Sequence, residues 1–256
     1  MLPRDRITES LRNARKPALV AFLTAGYPTR EGFVDALQII ARSADAVEIG
    51  VPFSDPMADG VTIQRSSETA IRNGVTLPWI LETLAANKDR FEAPLLLMSY
   101  LNPLLAYGYA RLAKDAAAAN VAGFMIPDLP YEECAPIREA FSAHGLALVQ
   151  FITPATPQKR RQMLCEQSEG FIYAVTKTGI TGGQSELPED LAEYLASVKQ
   201  SAQLPVCAGF GVRAREQVEL IGAHADGVIV GSALVEVLES ERDPGEFLDA
   251  LRPNPA

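Results

Sequence analysis

The chain has 256 residues, 48% of them hydrophobic and 21% charged, and carries a formal net charge of −9. This composition supports a large buried core and excludes a disordered chain, while the acidic excess excludes a nucleic-acid or anionic-membrane surface as partner, since either would repel it at long range. Three scattered cysteines (Cys134, Cys165, Cys207) have no metal-ligand spacing, no apolar run reaches the length of a membrane span, and the N-terminus lacks a hydrophobic signal core, so a soluble cytoplasmic protein is expected.

Ile7 and Leu11, at helical spacing, predict a short amphipathic helix over 7–16 that can plug one end of a barrel. Residues 18–24 read as a first strand, closed by Gly26-Tyr27-Pro28, with Thr29 as cap of a helix running to about Ala44. The second strand carries Glu48 and feeds the loop 51–60, after which helical pattern runs from about 61 to 90 with a break at Asn73-Gly74. Strands at 95–99, 122–126, 147–152, 171–175, 205–208 and 227–230 follow. Between them lie an alanine-rich helix ending near Asn120, a helix stopping at Gly145, one capped at Thr156-Pro157, and one opened by Pro188. A last helical region covers about 233–251. Eight apolar strands alternating with helices, with no linker or composition shift, predict a single α/β domain over 1–256, a (β/α)8 TIM barrel with an extra N-terminal helix. A doubly wound open sheet is the alternative.

Period two along the second strand puts Ala46 and Glu48 on one face and Val47 and Ile49 on the other. Glu48 therefore points into a core or pocket, where an ionised carboxylate is costly unless paired, neutralised or used. Asp59 follows on a loop that can fold back over it, and two such carboxylates can divide acid and base work. Gly209-Phe210-Gly211 after strand seven and Gly231-Ser232 after strand eight have the composition of a barrel phosphate site, with Gly182-Gly183 as a possible third wall. His144 and His224 fall at the C-terminal ends of predicted helices, on the face opposite the active site. What remains at the catalytic face is Glu48, Asp59, Asp128, Tyr173, Lys177 and Thr181, beside aromatic walls at Phe22, Tyr100 and Phe210. This suits a flat ring with a phosphorylated tail.

Glu-Ile-Gly-Val-Pro-Phe-Ser-Asp-Pro-Met-Ala-Asp-Gly at 48–60 resembles the signature of the tryptophan synthase alpha chain family. Leu23–Pro28, Ser99–Pro103, Pro127–Pro130, Gly179–Gly182 and Gly209–Val212 resemble the family's other motifs in order and spacing, so the likeness spans nearly the whole chain. It implies cleavage of indole-3-glycerol phosphate to indole and glyceraldehyde 3-phosphate, with indole passed to a beta chain that carries pyridoxal phosphate (PLP) in an alpha2beta2 heterotetramer. By the same resemblance Glu48 transfers protons, Asp59 holds the indole N–H, and Thr181 hydrogen-bonds Asp59 when the loops close. Phe22, Tyr100 and Tyr173 line the ring, and Gly182, Phe210, Gly211, Gly231 and Ser232 hold the phosphate. No cofactor and no metal are expected in this chain, and Asp55, Pro56 and Met57, acidic, rigid and apolar, are expected at the partner interface.

Two positions depart from the family's pattern. Val61 stands where proline commonly follows Asp-Gly, and Lys177 where arginine is frequent, which leaves loop closure without the planar fork of a guanidinium. Lys177 also raises a competing reading, a Schiff-base aldolase, although a lysine in a glycine-threonine loop lacks the burial that lowers its pKa. A non-catalytic phosphate-binding regulator is the other alternative, against which the presence of both Glu48 and Asp59 speaks.

Overall fold

A computed structural model describes residues 1–176, 189–209 and 211–253. Eight strands, β1 (Ala18–Thr24), β2 (Ala46–Gly50), β3 (Leu95–Met98), β4 (Val121–Met125), β5 (Ala147–Ile152), β6 (Ile172–Val175), β7 (Val206–Gly209) and β8 (Gly227–Val230), pair in parallel. Their order is sequential, and β8 pairs back onto β1 through Ala18↔Gly227 to Ala21↔Val230, so the sheet closes. An open doubly wound sheet is thereby excluded. The fold is a TIM barrel.

The helices are α1 (Pro3–Asn13), α2 (Phe33–Ser43), α3 (Val61–Arg72), α4 (Leu77–Asn87), α5 (Leu101–Tyr107), α6 (Tyr109–Ala118), α7 (Ala135–Ser142), α8 (Gln158–Gln167), α9 (Glu189–Ser201), α10 (Arg215–Gly222), α11 (Ser232–Glu239) and α12 (Pro244–Leu251). Every residue of β1 and β2 is buried, because helices cover the outside of the sheet and side chains fill the inside. Alternation sorts the two layers: Val47 and Ile49 pack outward under the helices, while Ala46 faces inward with Val20, Leu96 and Ile229. Ile7 and Leu11 of α1 are fully buried in that inner layer, so α1 plugs the barrel as its spacing predicts.

Several helix boundaries differ from the sequence reading. Helix α1 begins at Pro3, a residue pre-organised for a first turn, four residues before the predicted start. Thr29 does not cap α2; its hydroxyl accepts the N–H of Gly32 at 3.2 Å and closes a turn ahead of the helix. Thr156 likewise accepts the N–H of Thr153 at 3.0 Å, and Pro157 precedes α8 instead of opening it. The alanine-rich stretch is two helices, α5 and α6, separated at Gly108, whose φ of 88° ends one helix and redirects the chain into the next. The terminal region is also two helices, the second capped by Asp243, which accepts the N–H groups of Gly245 at 2.7 Å and Glu246 at 3.1 Å. Pro188 lies outside the described residues.

At the top of β7 a side chain has no room: a Cβ on Gly209 would sit 2.6 Å from both Cβ and the carbonyl oxygen of Ile229 on β8. Gly209→Ala is therefore expected to cost roughly 1–3 kcal/mol by overpacking, read as a lower urea midpoint. An unchanged midpoint would show that the strands separate freely.

Candidate active site

Glu48 lies at the middle of β2, flanked in register by Phe22 on β1 and Leu96 on β3. It is 1% exposed, and among the described residues no group hydrogen-bonds its Oε1. Burial alone raises its pKa to about 8, so the carboxyl holds its proton at neutral pH. Tyr173 on β6 faces it. Burial first, then the carboxylates of Glu48 and Asp59, push the Tyr173 phenol well above its ordinary value, which places all three side chains at one site and keeps the phenol neutral. The Tyr173 ring packs on Phe151 at 4.9 Å between centroids.

The loop after β2 brings Asp59 in half-buried. Its backbone carbonyl accepts the Gln64 side-chain amide at 2.8 Å, and Phe53 stacks on Tyr100 with centroids 5.3 Å apart. Burial raises the Asp59 pKa, and a hydrogen bond from the Tyr100 hydroxyl pulls it back down. Tyr100 itself, through burial and then the charges of Asp59 and Asp128, is pushed up to about 12. Phe22, 7% exposed, completes a second apolar wall with Tyr27 and Val235. Met98, the last residue of β3, packs against both this wall and the inner layer that includes Tyr173, and no motif of the sequence had singled it out. Its signal was parity with the inward-facing Leu96, two residues earlier.

Asp128 is not a free member of this face. Its Oδ1 and Oδ2 accept the N–H of Leu101 at 2.9 and 3.2 Å, so it ties the segment after β4 to the start of α5. Of the residues expected to hold an anion, Gly211, Gly231 and Ser232 are among those described. Gly211 has a φ of 75°, which a side chain would strain, so this glycine has a backbone reason to be there whatever it binds. Gly231 is different: its φ is −115° and a Cβ would meet nothing nearer than Phe22 Cβ at 3.7 Å. No side chain caps α11, so the N–H groups of its first turn at Ser232 stand at the strands' C-terminal rim with the positive end of the helix dipole. Lys177, Thr181, Gly182, Gly183 and Phe210 lie outside the described residues.

His144 and His224 follow α7 and α10, on the opposite face, and no three metal-ligating side chains converge among the described residues. Cys134, Cys165 and Cys207 are buried free thiols. Among the described residues no helix is long and apolar enough to cross a membrane. Met57 is 82% and Val61 78% exposed, with Asp55 exposed and Pro56 half-buried beside them. Val61 is the first residue of α3, where proline merely pre-organises a turn, so its substitution there disturbs no packing.

A closed barrel with a proton-bearing carboxyl inside, a second carboxyl on an adjoining loop and an open helix end at the same rim has the construction of a barrel enzyme of the acid–base type acting on an anionic small molecule. Residues 8–251 match the family model described as the tryptophan synthase alpha chain. The tryptophan synthase alpha chain of Nitratidesulfovibrio vulgaris (strain DP4) is 43% identical over 250 residues, covering 96% of this chain and 97% of that one. That of Roseiflexus castenholzii is 44% identical over 240 residues, covering 93% and 92%. Among solved structures, tryptophan synthase subunit alpha from Legionella pneumophila superposes with a TM-score of 0.87 at 33% identity, covering 98% of this chain and 97% of that one. A chain of tryptophan synthase from M. tuberculosis in an open form gives 0.86 at 34%, covering 98% and 99%. The chain belongs to the tryptophan synthase alpha chain family, lyases of tryptophan biosynthesis.

The burial of Glu48 sets a sign for stability. Its pKa is about 8 folded against 4.5 as a free side chain, so unfolding releases a proton between those values, and the contribution is full below pH 4.5 and lost as pH rises toward 8. Glu48→Gln removes this dependence. The melting temperature of the variant, relative to the parent, is expected to climb between pH 5 and pH 8; a constant difference would mean that Glu48 is ionised in the folded chain.

Proposed function

We propose that this chain cleaves indole-3-glycerol phosphate to indole and glyceraldehyde 3-phosphate using its own carboxyl groups, with no Schiff base and no metal, and that Glu48 and Asp59 are the catalytic residues. The observation that carries the reading is the buried carboxyl of Glu48, its Oε1 without a hydrogen bond among the described residues and its pKa raised by burial, inside a barrel whose family performs a lyase reaction. Glu48 gives its proton to C3 of the indole ring, and positive charge develops on the ring nitrogen, where the Asp59 carboxylate accepts the N–H. Glu48, now ionised, takes the proton of the hydroxyl on the adjoining carbon as the carbon–carbon bond breaks. The bonding electrons return to the ring, restore indole and neutralise the nitrogen. The proton count closes with Glu48 protonated again.

Phe22, Tyr100 and Tyr173 form the walls for the flat ring, joined by Met98. Gly211, Gly231 and Ser232, with Gly182 and Phe210, bind the phosphate through backbone N–H groups and the Ser232 hydroxyl, and Thr181 closes onto Asp59. The five described lysines, Lys16, Lys88, Lys114, Lys159 and Lys199, stand outside the strands, and PLP chemistry belongs to the beta chain. Asp55, Pro56 and Met57 dock that chain in an alpha2beta2 assembly, a role that suits the exposed apolar residues Met57 and Leu105 on segments leaving β2 and β3. The three buried thiols fit a cytoplasmic site of action.

The test is indole release from indole-3-glycerol phosphate, with and without a beta chain. Glu48→Gln is expected to lose activity by roughly 10²–10⁴-fold while still binding substrate, and kcat/KM of the parent is expected to fall as pH rises above about 8, where the free enzyme loses the proton of Glu48. Near-normal turnover of the variant, or a flat profile to pH 9.5, would refute the role of Glu48.

The phosphate site is tested with indole glycerol lacking the phosphate, whose KM is expected to be higher by at least about tenfold, since each charge-assisted hydrogen bond lost is worth roughly 1.5–3 kcal/mol. Equal KM values for the two substrates would remove the rim of β7 and β8 from the binding site.

A further inference from the structure

Tyr100 does more than face the ring pocket. Its hydroxyl accepts the backbone N–H of Ala58 at 2.9 Å, which brings the phenol beside Asp59, the next residue, so that the two side chains bear on each other's charge. One phenol thus holds the main chain of the loop at the residue that precedes Asp59. Its ring is clamped from the other side by Phe53, stacked at 28° between planes, so both ends of the loop after β2 bear on this one side chain. Tyr100 is itself fixed by the barrel. It is 4% exposed, the Ser99 hydroxyl donates to its carbonyl at 2.9 Å, and the next residue's N–H is held by both oxygens of Asp128.

We propose that Tyr100 is a positioning residue for catalysis: its hydroxyl latches the loop 53–59 to the rigid end of β3 and aims the Asp59 carboxylate into the ring pocket. This rests on the reading that Asp59 meets the ring nitrogen. A loop residue must be held close to its working geometry to act on developing charge, and a hydroxyl that anchors the preceding main chain beside the carboxylate fixes its place and opposes the rise that burial gives its pKa. The groups that bear on this pair are Tyr173 from β6 and Asp128 after β4, with Glu48 from β2 behind Tyr173, none of them cationic, so among the described residues the phenol is the group that favours the ionised form of Asp59.

The test is Tyr100→Phe in the full-length chain, a change that keeps the ring and its stack on Phe53. Amide exchange at Ala58 is expected to quicken roughly 3- to 10-fold, and the Asp59 carboxyl, followed by carbon NMR, to titrate at higher pH. On indole-3-glycerol phosphate kcat is expected to fall roughly 10- to 100-fold with KM within about threefold, and the acid limb of the pH profile to move up with Asp59. A higher KM with unchanged kcat would make Tyr100 only a ring wall and overturn the proposal, as would Ala58 exchange and Asp59 titration equal to the parent's. Should the parent release no indole, the functional reading fails, and the exchange and titration still decide the latch.

Discussion

A carboxyl buried inside a closed barrel is the constraint around which this molecule is arranged. Glu48 has walls of Phe22, Leu96 and Tyr173 and no cation against it among the described residues. A lysine or arginine in that place would have ionised it and spent its proton on a salt bridge. Keeping the pocket apolar and phenolic leaves the group as a neutral acid, and the desolvation it suffers is a cost to folding that the surrounding barrel core must outweigh. Strand closure makes this possible, because a residue at the middle of β2 cannot swing toward water. The same burial that raises its pKa fixes the position of the carboxyl.

The second carboxyl is held on different terms. Asp59 comes from a loop, half-buried; burial raises its pKa as it does that of Glu48, but here the Tyr100 hydroxyl works against the rise, and Glu48 has no such donor at its Oε1 among the described residues. The support for the loop one comes from the next βα units. Asp128 after β4 holds the start of α5, α5 begins where β3 delivers Tyr100, and Tyr100 holds Ala58, next to Asp59, after β2. Three consecutive units of the barrel are thus linked by side chains along its rim, each bracing the one before it. A residue such as Asp128, which by type looks like a third acid, serves here as a strut.

Much of this was legible in the sequence because it is local. The parity of Ala46, Val47, Glu48 and Ile49 decides which face each residue takes, and the plug of α1 follows from the spacing of Ile7 and Leu11. What was not legible depends on partners far along the chain. Whether Asp128 is free or bonded is settled by Leu101, and whether Thr29 or Thr156 caps a helix is settled by where the turn before that helix closes. The three rim glycines show the same limit. Identical in sequence terms, Gly209 is required by the approach of Ile229, Gly211 by its left-handed backbone, and Gly231 by neither. Only the last has its lack of a side chain left over for a ligand to use.

That distribution of constraints also bears on how a docked partner can influence the chemistry. Asp55, Pro56 and Met57 lie between two anchors of the same loop, the Phe53 ring stacked on Tyr100 and the Asp59 carbonyl held by Gln64. A surface pressing on the exposed Met57 therefore acts on a segment pinned on either side, and the strain it applies or relieves is felt at Ala58 and Asp59 before it is felt anywhere in the barrel wall. Glu48, fixed in β2 and out of reach of the loop's movement, is insulated from the same push. On the roles proposed above, a partner on this face would change how often Asp59 is in place without altering Glu48, dividing the site into a proton donor set by the fold and a charge acceptor open to control.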